Sequence, residues 1–204
     1  MADLPATDRR PGGRTARVRA RVLDAVRAEL ARGGHDALTV EGVATRAGVH
    51  RATVYRRWRD VGGLIVDVID AAGEIDWQPP DTGSLLGDLT ELNRQIQQSL
   101  VERPSLALAL MAASFHSEQA ARAQTRLWAD RYAQSEVLVA RATGRGELPA
   151  GTDARALLIA ATAPVYHELV LLRTGPDPAV PARAAQAAVL AAAAGAFAHP
   201  ELPA

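Results

Sequence analysis

Ala44, Gly48 and Val54 have the residue types and the spacing of a helix-turn-helix motif. A small residue such as Ala44 lets two helices cross closely, and Gly48 can adopt the positive φ that a sharp turn requires. Val54 can then fill the angle between the two helices. The second helix of such a motif projects from the surface and can enter the major groove of DNA. This spacing therefore predicts a DNA-binding site.

The second helix of the predicted motif carries side chains that can contact the edges of bases. Val54 and Trp58 lie four residues apart and are predicted to face the core, so Ala52 and Arg56 point the opposite way. Arginine can donate two hydrogen bonds to guanine, and a methyl group of alanine or threonine can contact the methyl group of thymine. We predict base contacts from the exposed face and the N-terminal tip of this helix: His50, Arg51, Ala52, Thr53 and Arg56.

The run from Leu38 to Trp58, LTVEGVATRAGVHRATVYRRW, resembles the DNA-binding domain of TetR/AcrR-type regulators. The resemblance rests on Thr53-Val54-Tyr55-Arg56 after the glycine turn and on the aromatic residue three positions beyond Tyr55. It covers about residues 15–70 and implies that a longer, variable, all-α domain for ligand binding and dimerisation follows. The segment Arg145-Gly146-Glu147-Leu148-Pro149 is also similar to the C-terminal domain of many family members.

Donor chemistry and the resemblance together assign phosphate contacts to Thr39, Tyr55 and Arg57. The alternative for Tyr55 is a ring that packs against the first helix. The family usually has a lysine that meets a phosphate in the turn before the fourth helix, where this chain has Val61. Backbone N–H groups at the start of that helix, or Arg59, would have to replace the lysine.

Apolar residues recur at helical spacing along most of the chain, without a strand-length alternation of apolar and polar residues. The fold is therefore predicted to be all-α with about nine helices. We divide the chain into a flexible arm (1–14), a helix-turn-helix DNA-binding domain (15–60) and a helical ligand-binding and dimerisation domain (61–204). The later helices are predicted at about 61–72, 85–100, 105–116, 117–143, 153–174 and 179–198.

Charge divides the chain unevenly, although its net charge is zero. Residues 1–60 contain 13 arginines and 7 acidic residues, whereas residues 61–204 contain 10 arginines and 16 acidic residues. This division indicates a short polyanion-binding module joined to an acidic domain. Arg9, Arg10 and Arg14 of the arm could enter an adjacent minor groove, or could attract DNA only diffusely.

Composition narrows the function classes further. The 204 residues are 48% hydrophobic, enough for one large core or two modest ones, and contain no cysteine, which excludes disulfides and cysteine nucleophiles. Because no uninterrupted apolar run reaches about 18 residues and the N-terminus is polar, we expect no membrane association and a cytoplasmic, nucleoid-associated location.

The sequence favours neither an enzyme nor a metal site. It lacks the glycine-rich phosphate loop, the nucleophile elbow and the zinc-protease motif that mark common enzyme classes. His116 with Glu118, and His167 with Glu168, lack the further ligands that a metal site needs. We therefore expect no metal, no other cofactor and no catalysis.

Aromatic residues make up only 4% of the chain but concentrate between the residues around Pro79 and the last helices. Trp128 and Tyr132 lie one helical turn apart and can face the same side. A mostly apolar cavity there would suit a hydrophobic or aromatic small molecule, and ordinary core packing is the alternative. The predicted pocket residues are Trp77, Met111, Phe115, His116, Trp128, Tyr132, Tyr166 and His167.

The two last predicted helices are both apolar, and 11 of the 17 residues from Ala182 to Ala198 are alanine. The resemblance implies a homodimer formed by packing two such helix pairs into a four-helix bundle; the alternative is an internal core. Pro164 should bend the first of these helices or remove one of its hydrogen bonds. The predicted interface residues are Leu158, Val165, Leu169, Ala184, Ala188 and Ala191.

These features favour a ligand-responsive transcriptional regulator, a repressor that binds a palindromic operator in double-stranded DNA as a homodimer. A small hydrophobic effector would release it by changing the separation of the two DNA-binding heads. The alternative is a DNA-binding adaptor whose C-terminal domain binds a protein. A closed pocket would favour the first function, and an open hydrophobic groove the second.

Overall fold

The computed structural model describes residues 12–75, 77–102 and 105–198. Over these ranges the chain forms nine α-helices and a short π-helix and contains no strand, which confirms the all-α prediction. The α-helices are α1 (Gly12–Gly33), α2 (Val40–Ala47), α3 (Arg51–Trp58), α4 (Val61–Gly73), α5 (Leu85–Val101), α6 (Leu106–Ser114), α7 (Glu118–Gly144), α8 (Ala154–Tyr166) and α9 (Val180–Ala193); the π-helix spans His167–Leu171.

Short polar side chains fix where most of the helices begin. A serine, threonine or aspartate directly before the helix accepts a hydrogen bond from a backbone N–H of the first turn, which would otherwise lack a partner. The residues that cap helices in this way are Thr39, Asp60, Ser84, Ser105, Ser117 and Asp153.

One hydrophobic core joins the first four helices to α6 and α7. Val22 and Val26 of α1 pack with Val54 of α3 and Leu64 of α4, and the same core continues to Ala120 of α7. Because α4 contacts both groups of helices, the predicted boundary before Val61 falls at the start of a helix that both domains share. A displacement of α4 would therefore act on both.

A second core lies among α5, α7, α8 and α9. The fully buried Asn93 of α5 donates hydrogen bonds to the carbonyl oxygens of Ala161 (2.9 Å) and Pro181 (3.1 Å). One amide group thus fixes α8 and α9 against α5. The segment that resembles other family members has a capping role, because Glu147 accepts a hydrogen bond from the N–H of Leu85 at the start of α5 (2.7 Å).

Two predicted boundaries were wrong. Helix α1 begins at Gly12, so Arg14 belongs to a helix rather than to a flexible arm, while Arg9 and Arg10 lie outside the described residues. The predicted helix over 153–174 ends as an α-helix at Tyr166 and continues as a π-helix. Pro164 lacks the N–H that a regular helix needs, and the N–H of Leu172 bonds to the carbonyl of His167, five residues earlier (2.9 Å).

Most of the residues predicted to form a dimer interface are internal. Leu158, Val165, Ala184 and Ala188 are buried in the core of the single chain, and their prediction as interface residues was wrong. Leu169 is half-buried in a third cluster, and Ala191 is half-buried on α9. The exposed apolar residues of this helix pair are others, chiefly Ile159, Ala163, Ala187 and Leu190, and the polar side chains of Arg155, Arg183 and Gln186 are exposed beside them.

The stretch Ala154–Leu171 is long and apolar enough to span a membrane, judged by length and composition only, and 28% of it is buried. One such stretch is weak evidence for a membrane span, because apolar core helices pass the same test. Here its inner face, including Leu157 and Ala161, packs into the second core.

Candidate nucleic-acid interface and ligand cavity

The turn between α2 and α3 has the geometry that the sequence predicts. Gly48 adopts the left-handed conformation (φ 60°, ψ 43°), which a side chain would disfavour. From α1, Arg21 donates hydrogen bonds to the carbonyl oxygens of Ala47 and Gly48, the latter at 2.7 Å. The guanidinium group therefore holds the turn against α1 and neutralises the negative end of α2.

A buried carboxylate joins α1 to α2 from the other side. Glu29 accepts hydrogen bonds from Arg46 (2.6 Å) and Arg32 (2.6 Å). These bonds, that of Arg46 first, hold the pKa of Glu29 below its ordinary value although burial opposes the shift. The charge network therefore supports the position of α2.

Helix α3 presents its polar face to solvent. Val54 and Trp58 are buried, whereas Arg51, Ala52 and Arg56 are exposed, as predicted from their spacing. Its N-terminal tip is formed by His50, whose Nδ1 accepts a hydrogen bond from the N–H of Ala52 (3.3 Å), while Thr53 is half-buried. This bond assigns the proton of the neutral imidazole ring to Nε2, which remains available as an outward donor.

The three residues predicted to contact phosphates are exposed, and each has a partner inside the chain. Thr39 accepts a hydrogen bond from the N–H of Gly42 (3.0 Å), which leaves the hydroxyl proton of Thr39 free to be donated. The half-exposed Tyr55 donates its hydroxyl proton to Glu41 (3.0 Å), and this bond raises the pKa of Tyr55. The guanidinium group of Arg57 lies 5.0 Å from the ring centre of Trp58.

The start of α4 is not arranged to bind a phosphate. Asp60 caps the helix by accepting a hydrogen bond from the N–H of Gly63 (2.8 Å), so a negative charge already occupies the position that an anion would take. Val61 is half-buried and carries no donor. A Cβ atom at Gly63 would overlap the carbonyl oxygen of Trp58, so only glycine allows α4 to approach the end of α3 this closely.

Asp67 of α4 links three helices. One carboxylate oxygen accepts two hydrogen bonds from Arg19 of α1 (2.9 and 2.7 Å), and the other accepts one from the indole N–H of Trp58 in α3 (2.7 Å). The orientation of α3 is thereby coupled to the position of α4. Sequence reasoning identified Trp58 as a core residue but did not find this polar network.

Five of the eight predicted pocket residues lie together. Trp77, Met111, Trp128 and Tyr166 line a cavity of about 420 Å³ between α4, α5, α6 and α7, and Tyr132 lines a small adjoining pocket. The rings of Trp128 and Tyr166 meet edge to face, with their centres 5.6 Å apart. Both clefts are mainly apolar, which suits a hydrophobic molecule.

The other three predicted pocket residues lie elsewhere. Phe115 is 86% exposed and borders a separate cleft of about 800 Å³. His116 stacks on His35 at the junction with the DNA-binding helices, and His167 is exposed. Phe115 and His116 follow the last turn of α6, so the chain has already turned away from the cavity at this point.

The cavity also contains polar side chains, which the predicted set of pocket residues does not include. Arg131 donates a hydrogen bond to the carbonyl oxygen of Ala72 (3.0 Å) and lies 5.3 Å from the ring centre of Trp77. Burial lowers the pKa of Arg131. Among the described residues, no carboxylate forms an ion pair with it. The indole N–H of Trp77 bonds to Gln95 (3.0 Å), and burial raises the pKa of Tyr166. Arg131, which also donates a hydrogen bond to Gln134 (3.2 Å), is thus a half-buried cation among the residues that line the cavity.

This fold and site define a helix-turn-helix DNA-binding protein with a second, helical domain around a cavity. The chain belongs to the TetR family of bacterial transcriptional regulators. Residues 22–68 match the family model for bacterial regulatory proteins of the tetR family, and residues 79–188 match that for the tetracyclin repressor-like C-terminal domain. The members it resembles are regulators, which supports the expectation that the chain is not an enzyme.

Individual relatives agree with this assignment. The chain is 31% identical to the HTH-type transcriptional regulator AqdR of Rhodococcus erythropolis over 163 residues, which cover 78% of this chain and 77% of AqdR. It is 32% identical over 147 residues to the DNA-binding transcriptional repressor TetR of Mycobacteroides abscessus, covering 70% of this chain and 76% of the relative. The solved SmeT–triclosan complex has the same fold, with a TM-score of 0.60 and 19% identity over 92% of this chain and 99% of SmeT.

Proposed function

We propose that this chain is a repressor that binds a palindromic operator as a homodimer and is released by a small aromatic or hydrophobic ligand. The observation that carries the proposal is the Asp67 network. It joins α3, with its exposed arginines, to α4, which packs on the helix that lines the cavity. Occupation of the cavity could thereby change the position of α3. A DNA-bound regulator of this kind would work in the cytoplasm.

The proposed DNA contacts follow from the exposed groups around α3. Arg51 stands at the tip of the helix, where a recognition helix contacts base edges, and its guanidinium group can bond to guanine O6 and N7. Glu41 would release the Tyr55 hydroxyl to a phosphate. The full proposed set is His50, Arg51, Ala52, Thr53 and Arg56 for bases, and Thr39, Tyr55 and Arg57 for phosphates.

Replacing Arg51 with alanine should remove sequence preference at one position of each half-site. Loss of a two-bond arginine–guanine contact costs about 1–3 kcal/mol of discrimination. Arg57→Ala should instead weaken binding to all sequences and reduce the salt dependence. The preferred site is first selected from random duplex DNA with the wild-type chain, and each variant is then titrated against single-base changes. Arg122→Ala, an exposed arginine on α7, is the control. An unchanged preference in Arg51→Ala would remove it from the base contacts.

The proposed dimer uses the exposed face of α8 and α9, where the apolar side chains of Ile159 and Leu190 project among alanines and the polar side chains of Arg183 and Gln186. A two-fold dimer presents two copies of α3, as a palindromic operator requires. Close packing of alanine-rich helices would bring the two chains near enough to exclude water.

The proposed ligand is aromatic and carries an acidic or strongly accepting group. The rings of Trp77, Trp128 and Tyr166 provide flat apolar contacts, and Arg131 provides the donor. SmeT, which has the same fold, is known in complex with triclosan. That complex is consistent with an aromatic ligand for this chain, whose own residues add the cation.

Anilinonaphthalene sulfonate, an aromatic sulfonate whose fluorescence rises in apolar sites, is a suitable probe of the cavity. Replacing Arg131 with methionine should weaken its binding about tenfold or more, because a charge-assisted hydrogen bond contributes about 1.5–3 kcal/mol. Arg126→Met, an exposed arginine on the same helix, should bind the probe like the wild type. Equal binding by Arg131→Met and the wild type would contradict the proposed ligand class. If neither the wild type nor either variant binds the probe, the adaptor function is favoured.

A further inference from the structure

Two histidines distant in sequence stack where the DNA-binding helices (α1–α3) meet the helices of the second domain, which we call the regulatory helices. His35 follows α1 and His116 lies between α6 and α7; their ring centres are 4.6 Å apart and the rings are nearly parallel, at 11°. The Oδ1 atom of Asp36 lies 3.6 Å from the Nδ1 atom of His35. Potential ligand atoms of His35, Asp36 and His116 all lie within 4.8 Å of one another. Two imidazole nitrogens and a carboxylate oxygen are a common ligand set for transition-metal ions.

The cluster contains a polar atom without a partner. The Nδ1 atom of His35 is buried and has no hydrogen-bond partner within the described part of the chain. Leaving such an atom unsatisfied is unfavourable, and a coordinated cation would satisfy it. Asp60 and Glu118 line the same cleft, which has a volume of about 650 Å³. Glu118 is paired with Arg122 (2.6 Å), so it is chiefly the carboxylates of Asp36 and Asp60 that favour a cation over an anion.

We propose that His35, Asp36 and His116 bind a divalent transition-metal ion of the Zn²⁺ type, with water as the fourth ligand. Ligands at about 2.0–2.2 Å around a tetrahedral Zn²⁺ ion lie about 3.3–3.6 Å apart. The His35–Asp36 distance is already close to this value. Stacked rings do not direct their lone pairs at one point, so the ring of His116 must rotate. This ring is exposed, so it can rotate on its solvent side.

The proposed ligands belong to different domains. His35 and Asp36 lie in the connection between α1 and α2, and His116 lies directly before α7. A bound ion would therefore hold the DNA-binding helices at one distance from the regulatory helices. The metal site is independent of the proposed repressor function, because it rests on the side-chain cluster alone.

Calorimetric titration of Zn²⁺ into the full chain, prepared without an affinity tag, tests the site. The wild type should bind one Zn²⁺ ion at this site, and the ion should raise the melting temperature because it binds the folded state. Asp36→Asn and His116→Gln should each weaken binding by at least about 10–100-fold, because loss of a residue that only supports a metal ligand already has an effect of this size. Both side chains are exposed, that of Asp36 by 92%, so the variants should fold. His167→Gln, an exposed histidine outside the cluster, should bind like the wild type.

Zn²⁺ binding of equal strength in the wild type and both variants would overturn the proposal, as would absence of wild-type binding below millimolar concentrations. The stacked histidines would then be a packing contact between domains. DNA binding is not needed for this titration. A chain that binds Zn²⁺ as expected but no DNA would contradict the proposed function and leave the metal site in place.

Discussion

Replacing Leu190 with glutamate is expected to convert the proposed dimer into monomers and to abolish operator binding. Leu190 lies on the outer face of α9 and is 64% exposed in the single chain. In a two-fold interface the new charge would occur twice, and burying an uncompensated charge costs about 3–5 kcal/mol. A monomer presents only one α3 helix and should lose most of the affinity that two half-sites provide.

Sedimentation velocity at micromolar concentration measures the change in assembly, and titration with the selected DNA measures the loss of binding. Leu86→Glu is the matched control, because Leu86 is an exposed leucine on α5 rather than on α8 or α9. It should leave assembly and DNA binding unchanged. Circular dichroism should show the same helix content in both variants. A Leu190→Glu chain that sediments as the wild-type dimer would place the interface elsewhere.

Replacing Asp67 with alanine is expected to lower the free energy of unfolding by about 2–3 kcal/mol, because it removes the charged acceptor of Arg19 and Trp58. The full cost of breaking a buried ion pair does not apply, since the Asp67 and Arg19 side chains are 19% and 26% exposed. The indole N–H of the buried Trp58 would be left without its partner. Urea unfolding measures the change, and Asp24→Ala, at an exposed ion pair of α1, should change little.

The same carboxylate predicts a dependence of stability on pH. Burial alone would raise the pKa of Asp67, but the hydrogen bonds from Arg19 and Trp58 outweigh it and hold the pKa below the ordinary value. A carboxylate with a lowered pKa stabilises the folded state above its unfolded pKa of about 4, and this contribution is lost as the pH falls through the folded pKa. The wild type should therefore lose more stability than Asp67→Asn between about pH 6 and pH 3. Parallel losses would show that Asp67 does not carry this part of the acid sensitivity.

The sequence predicts the DNA-binding half well because the determining interactions there are local. Gly48 permits the left-handed conformation that the turn between α2 and α3 needs, and the spacing of Val54 and Trp58 determines the inner face of α3. The start of each capped helix is likewise determined locally, because the capping side chain bonds to a backbone N–H of the first turn. These features do not depend on how distant segments pack.

The faces of α8 and α9 could not be predicted in this way. Arg183 and Gln186 mark the outer face over the first turns of α9, but beyond them alanine covers the helix on both sides, so its sequence does not separate the face that contacts α5 from the face that meets solvent. Ala188 is internal and Leu190 is external although both are apolar. Only the packing of α5, with Asn93 holding both helices, decides between these faces.

Residues brought together from distant segments were also beyond sequence reasoning. In the sequence His116 lies near Glu118, whereas in the fold it meets His35 and Asp36 from the other domain. Arg131 enters the cavity because α7 packs against α4, where it reaches the carbonyl of Ala72. Such pairings depend on how the helices cross, which periodicity within one helix does not encode.

If two copies of α3 contact a palindrome, DNase footprinting of the selected DNA with the wild-type chain should show protection of two symmetry-related half-sites. Their centres should lie about 10–10.5 base pairs apart, or a multiple of that distance. Both half-sites should lose protection together when Leu190 is replaced with glutamate. Protection of a single asymmetric site, unchanged in that variant, would show that the chain does not bind DNA as a two-fold dimer.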